Sequence, residues 1–112
     1  MKKLGPKVLT ICEHGNSRSV GLAYLLKHHS GQGVGPYEAI PIGVRRVSPD
    51  TFRMLIGWAD NVILTDAALQ HLLPDCGGKL LIWDVGADVY FRGIDQRLLD
   101  KYQAYLDAFP RN

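Results

Sequence analysis

The chain predicts an α/β fold of three layers, α/β/α, in which helices cover both faces of a four-stranded parallel sheet. Two observations carry that expectation. Short apolar runs rich in β-formers alternate with stretches of helical periodicity four times along 112 residues, and each return from one parallel strand to the next needs a right-handed crossover, which a helix supplies. The hydrophobic fraction of 46% and charged fraction of 21% are those of an ordinary globular protein, with enough chain for one core and too little for two. Residues 1–112 are therefore expected to form a single domain.

The elements follow in order. Residues 7–12, KVLTIC, read as a buried strand that ends in a Gly-containing loop. From about Ser17, the apolar residues Val20, Leu22, Ala23, Leu25 and Leu26 recur at helical spacing, and Gly31 and Gly33 are the stop signals after Lys27, His28 and His29. YEAIPIGV, residues 37–44, predicts a short strand that Pro41 assigns to a sheet edge. Ser48 and Pro49 read as an N-cap and first-turn proline, opening a helix through Phe52, Leu55, Ile56 and Trp58. NVILT, 61–65, is a third strand, AALQHLL a short helix ending before Pro74, and LLIWDV, 80–85, a fourth strand. The last helix is expected from about Ile94 to Phe109, with Leu98, Leu99, Tyr102, Tyr105, Leu106 and Phe109 on one face. Trp58 and Trp83, on apolar elements, are expected in the core.

Composition excludes several classes of function. A formal net charge of +2, with basic pairs only at Lys2/Lys3 and Arg45/Arg46, gives no nucleic-acid footprint. No membrane-length apolar run or secretory signal is visible, so a cytoplasmic location without a membrane partner is expected. Cys12 and Cys76 make no disulfide framework, and Cys76 in PDCGGK has the look of an incidental thiol. His28 and His29 suit a helix C-terminus and His71 a helix surface. No His/Cys/Asp cluster has metal-ligand spacing, so no metal site is expected.

In parallel sheets ligands bind at the carboxyl ends of the strands, near a switch in strand order, which directs attention to the loop after the first strand. There, ICEHGNSRSV places Glu13, His14, Gly15, Asn16 and Ser17 between Cys12 and Arg18, directly before a helix. Cys12 alone would read as a buried strand-end thiol. A short loop entering a helix, however, turns successive backbone N–H groups inward and adds the positive end of the helix dipole, which makes a cradle for a tetrahedral oxyanion. Arg18 can present a planar, two-pronged donor to two phosphate oxygens. The same field favours the thiolate of Cys12. Ser19 can hydrogen-bond that sulfur, Gly15 permits a strained backbone angle, and Asn16 can tie the loop to itself. The His14 ring points either into the cradle or to solvent.

CEHGNSRS matches the Cys-x5-Arg-Ser signature of protein tyrosine phosphatases. Its position at the end of the first strand of a small α/β chain resembles the low-molecular-weight family. The wording of the loop is also similar to the Cys-x-x-Gly-x-Ser-Arg-Ser pattern of dual-specificity phosphatases, which place most of their fold ahead of the cysteine. Gly15 and Asn16 fall three and four positions after Cys12, one later than in the low-molecular-weight family. The resemblance implies a low-molecular-weight phosphatase-like fold and a phosphatase acting on phosphotyrosine or a similar monoester, with Cys12 as nucleophile and no cofactor. The implied partner is a phosphorylated protein or small phosphate ester, with phosphate or sulfate binding at the Cys12 loop.

The resemblance further implies a general acid on the loop after the fourth strand, where Asp84 and Asp88 both stand. DVYF, residues 88–91, resembles the family's Asp-Pro-aromatic arrangement with Val89 in place of proline, so Asp88 is the first choice and Asp84 a cap or brace. Tyr90 and Phe91 are candidates to wall the site or to join the core, and Arg45 or Arg46 to widen the positive field. Three other functions remain open at this point: a phosphocysteine carrier similar to the IIB components of sugar phosphotransferase systems, an arsenate-reductase-like thiol enzyme pairing Cys12 with Cys76, and a phosphate-binding module without turnover.

Overall fold

The computed structural model describes residues 4–28, 37–87, 89–90 and 95–108. Strands β1 (Lys7–Cys12), β2 (Glu38–Gly43), β3 (Asn61–Leu64) and β4 (Leu80–Ile82) alternate with helices α1 (Arg18–His28), α2 (Pro49–Trp58) and α3 (Gln96–Ala108), and a 3-10 helix, Ala67–Leu72, links β3 to β4. All strand pairs are parallel, in the order β2-β1-β3-β4. The chain steps from β1 to one side for β2, then crosses to the other for β3, so the order reverses at the carboxyl end of β1.

Alternation along β1 divides the core in two. Val8 faces a cluster with Leu22, Leu26, Leu98, Tyr102 and Leu106 of α1 and α3. Leu9 and Ile11 face the opposite cluster, with Phe52 and Ile56 of α2. Strands buried on both faces need the continuous apolar runs seen in KVLTIC and NVIL. Of the face expected on the last helix, Leu98, Tyr102 and Leu106 are buried and Leu99 and Tyr105 half-buried.

Pro41 lies in the edge strand, as its missing donor requires. Glu38 N donates to Pro6 O and Val44 N to Cys12 O, so the even-numbered N–H groups of β2 face β1 and position 41 faces the open edge. Ser48 caps α2 by accepting the Thr51 N–H at 3.2 Å, with Pro49 in the first turn.

Three expectations change. AALQHLL winds as a 3-10 helix through Leu72, with Asp66 as its N-cap. LLIWDV pairs as a strand only over Leu80–Ile82, because β3 ends at Leu64; beyond it, Trp83 N and Val85 N still donate to Leu64 O and Thr65 O. Trp58 is half-buried at the margin of the α2 cluster, whereas Trp83 is buried and stacks on Tyr105 with ring centroids 5.7 Å apart. Gly31, Gly33, His29, Asp88, Phe91, Ile94 and Phe109 lie outside the described residues. Among the described residues no helix is long and apolar enough to cross a membrane, and no group of three or more His, Cys, Asp or Glu is arranged to hold a metal ion.

Candidate active site

β1 delivers Cys12 to the switch point, and the chain then turns through residues 13–17 into α1. Gly15 takes φ +75°, a conformation that side chains disfavour. A Cβ on Gly15 would also stand 2.5 Å from Gly43 N. The loop therefore rests backbone to backbone on the end of β2, and the parallel pairing runs on through Val44 N to Cys12 O at 2.9 Å and Arg45 N to Glu13 O at 3.0 Å.

This curl turns the Gly15 N–H onto the Cys12 sulfur at 3.1 Å, and the Ser19 hydroxyl lies 3.1 Å from the same atom. Cys12 is 1% exposed and Arg18 2%. The thiol thus lies at the floor of the loop, with a backbone donor and a hydroxyl around it. Ser17 and Ser19 are buried, while His14 and Asn16 are exposed on the outer side.

A polar layer under the loop fixes the start of α1. Thr10 Oγ1 donates to Ser19 O at 2.9 Å, and the Tyr102 hydroxyl, from α3, donates to Arg18 O at 2.7 Å. Burial, above all, pushes the Tyr102 hydroxyl far above the ordinary tyrosine range, so it remains a donor. Thr65 Oγ1 donates to Ile11 O at 2.8 Å. Three side chains, from β1, α3 and the loop after β3, thus hold the strand-to-helix turn, and each buried hydroxyl finds the acceptor that burial makes costly to lack.

Arg18 is paired by Asp66, from the loop after β3: Nη1 donates to Asp66 Oδ2 and to Gly86 O, both at 2.8 Å. A buried guanidinium needs such a partner. Asp66 and Tyr102 were not among the candidates from sequence. The signal for Asp66 was its position just past the carboxyl end of an apolar strand, TD after NVIL; Tyr102 showed only the periodicity of a core face.

Asp84 Oδ2 accepts the Ala67 N–H at 2.8 Å and Oδ1 the Gly86 N–H at 2.7 Å, so both oxygens are engaged by main chain. Tyr90 is buried in the α1/α3 cluster: its hydroxyl donates to Val85 O at 2.9 Å, and Lys101 Nζ donates to the hydroxyl at 2.7 Å. Arg45 Nε donates to Glu13 Oε2 at 2.8 Å, which sets one basic side chain at the loop; Arg46 is exposed beside it. Cys76 is buried in the α2 cluster, before β4 and so toward the amino end of the sheet. Burial, then the Asp75 carboxylate, push its thiol up, with Lys79 opposing.

The arrangement defines a class: a parallel α/β sheet whose first strand ends in a cysteine-floored loop, backed by a helix N-terminus and a buried arginine. Among solved structures, the chain is similar to the tyrosine phosphatase Wzb from Escherichia coli K30 in complex with sulfate, at a TM-score of 0.61 and 12% identity over 93% of this chain and 98% of that one. The same phosphatase in complex with phosphate gives 0.60 and 13%, over 91% and 96%. The tyrosine phosphatase AmsI of Erwinia amylovora gives 0.56 and 16%, over 95% and 94%. The fold is the one these phosphatases share. No protein-family model matches the chain, and no curated protein matches it.

Proposed function

We propose that the protein is a cysteine-dependent phosphatase that hydrolyses phosphate monoesters, phosphotyrosine or a similar ester, through a phosphocysteine intermediate. The observation that carries this reading is the Cys12 sulfur, held by the Gly15 N–H and Ser19 hydroxyl at the floor of a loop that runs into buried Arg18. A merely structural thiol at a strand end has no use for a glycine-curled loop and a buried guanidinium beside it. The tetrahedral anions bound to Wzb suit the same kind of cradle.

In the first step the Cys12 thiolate attacks phosphorus in line, the S–P bond forms and the ester P–O bond breaks. Asp88 gives its proton to the departing oxygen. In the second, Asp88 takes a proton from water, the resulting oxygen attacks phosphorus, and the S–P bond breaks with the electron pair returning to Cys12. The Ser19 hydroxyl donates to the leaving sulfur. Backbone N–H groups of residues 13–17, apart from the Gly15 N–H on the sulfur, and the Nε/Nη2 edge of Arg18 hold the equatorial oxygens, whose charge is spread widest in the transition state. No cofactor enters these steps.

An arsenate-reductase-like reaction would need a disulfide between Cys12 and Cys76. Their placement argues against it: Cys12 turns to Ser19 at the carboxyl end of β1, while Cys76 is buried under α2 toward the other end of the sheet. Disulfide formation requires Cα atoms within about 7 Å. The direct test is turnover of p-nitrophenyl phosphate. Wild-type protein should release p-nitrophenol, and Cys12→Ser should abolish release; equal rates would sink the mechanism.

A further inference from the structure

One carboxylate joins the loops that follow β3 and β4. Asp84 Oδ2 holds Ala67 N and Asp84 Oδ1 holds Gly86 N, at 2.8 and 2.7 Å. Each loop also supplies an acceptor to Arg18 Nη1: Asp66 Oδ2, one residue before Ala67, and the Gly86 carbonyl oxygen, both at 2.8 Å. The links close a ring from Arg18 through Asp66 and Ala67 to Asp84, and through Gly86 back to Arg18.

We propose that Asp84 is a positioning residue that sets the direction of the Arg18 guanidinium by fixing the spacing of the two acceptors on Nη1, and so serves an oxyanion it never touches. This rests on the reading of the Cys12 loop as a phosphate site. The two N–H bonds of Nη1 lie in the guanidinium plane, so two acceptors on that nitrogen fix the plane and the direction of the opposite edge. Asp66 is aligned separately, because its Oδ1 accepts the Ala68 N–H at 3.0 Å. Among the described residues Gly86 has no such packing support: it is exposed, at φ +82°, with open space where a side chain would stand. Its main chain is held by hydrogen bonds: the carbonyl accepts from Arg18, and among the described residues Asp84 is the side chain that accepts the Gly86 N–H. With both oxygens on main-chain donors, Asp84 is a brace in this proposal and proton transfer stays with Asp88.

The test is calorimetric titration of inorganic phosphate into wild-type protein, Asp84→Asn, Ala67→Pro and Tyr105→Phe, with pH profiles of p-nitrophenyl phosphate turnover. Ala67→Pro removes only the N–H that Asp84 Oδ2 accepts: proline suits a first helical position, and Asp66 before it is already extended at φ −148°, ψ 109°. Tyr105→Phe removes a hydrogen bond to the Asp84 carbonyl and leaves the carboxylate intact. Phosphate affinity and kcat/KM should each fall about tenfold in Asp84→Asn and Ala67→Pro, as expected for a misdirected binding group. The alkaline limb of the kcat profile should remain, and Tyr105→Phe should bind phosphate as wild type does. Should Asp84→Asn fail to fold, Ala67→Pro decides. Affinity within twofold of wild type in the folded variants overturns the proposal. So does an Asp84→Asn protein that keeps its affinity but loses kcat and the alkaline limb, which is the behaviour of a general acid. A wild-type protein that binds phosphate without turnover refutes the phosphatase reading alone, and the titrations still decide the role of Asp84. Failure to bind phosphate overturns both.

Discussion

Gly43→Ala tests how the loop is held. The residue ends β2 and has no positive φ, so alanine meets no backbone penalty, and the whole effect is steric. Its Cβ would stand 2.5 Å from the His14 carbonyl oxygen and 2.6 Å from Gly15 N, both main-chain atoms that no rotamer change can move aside. Ordinary contact lies near 3.5 Å, so the loop must rise by about 1 Å. The Gly15 N–H bond to the Cys12 sulfur, now 3.1 Å, is the contact that this shift stretches. A displacement of that size at a reacting centre costs about 100-fold in rate. The overpacking itself costs about 1–3 kcal/mol of stability. The assay is kcat/KM for p-nitrophenyl phosphate beside a thermal melt. Activity within threefold of wild type at an unchanged melting temperature would refute the reasoning, since the loop would then not rest on β2.

Gly57→Ala is the matched control: among the described residues nothing outside its own helix lies within 4 Å of its Cβ in α2, so melting should rise, by about 0.5–1 kcal/mol of stability, with activity unchanged. Tyr102→Phe removes the side-chain donor to the Arg18 carbonyl, which keeps its helical bond in α1, and chemical denaturation should register a loss of about 0.5–1.5 kcal/mol. Iodoacetamide at neutral pH should alkylate Cys12 and spare Cys76, whose thiol burial and Asp75 hold in the protonated form; peptide mapping that finds label on Cys76 alone would contradict this. The Asp95 carboxyl is held below the ordinary carboxylate range, first by its side-chain hydrogen bond to Arg97. A depressed folded-state value stabilises above the unfolded value, about 3.9, and that contribution is lost as pH falls through the folded one. Melting temperature should therefore drop in acid, and Asp95→Ala should lose part of that dependence.

Much of the fold was legible because local rules and tertiary structure agree. KVLTIC became β1 over the same residues, Pro41 marked the edge strand, and Ser48 with Pro49 opened α2. The loop of Cys12 was legible for a different reason: its residues are contiguous, so spacing alone brings Cys12, Gly15, Arg18 and Ser19 together. What sequence could not supply were partners brought in by the sheet. Asp66 is 48 residues from Arg18 and Tyr102 is 84. Periodicity marked Tyr102 as a core position, but nothing in a 3.6-residue repeat tells that its hydroxyl meets a helix carbonyl. Gly43 read as one residue within the strand YEAIPIGV, and only the register Cys12↔Gly43 reveals that the loop lies against it. The short 3-10 helix and three-residue β4 fall where apolar runs are too brief for periodicity to choose a form.

The central claim is that Cys12 carries the phosphoryl group during turnover. Acid quench of the wild-type protein in the first turnovers of p-nitrophenyl phosphate, followed by trypsin digestion and mass spectrometry, tests it most directly. One phosphoryl group should be found on Cys12 in the peptide covering residues 8–18, and it should be absent when Cys12→Ser is treated alike. Turnover by wild type with the phosphoryl group on His14 or any other residue, or with full activity in Cys12→Ser, would contradict the account.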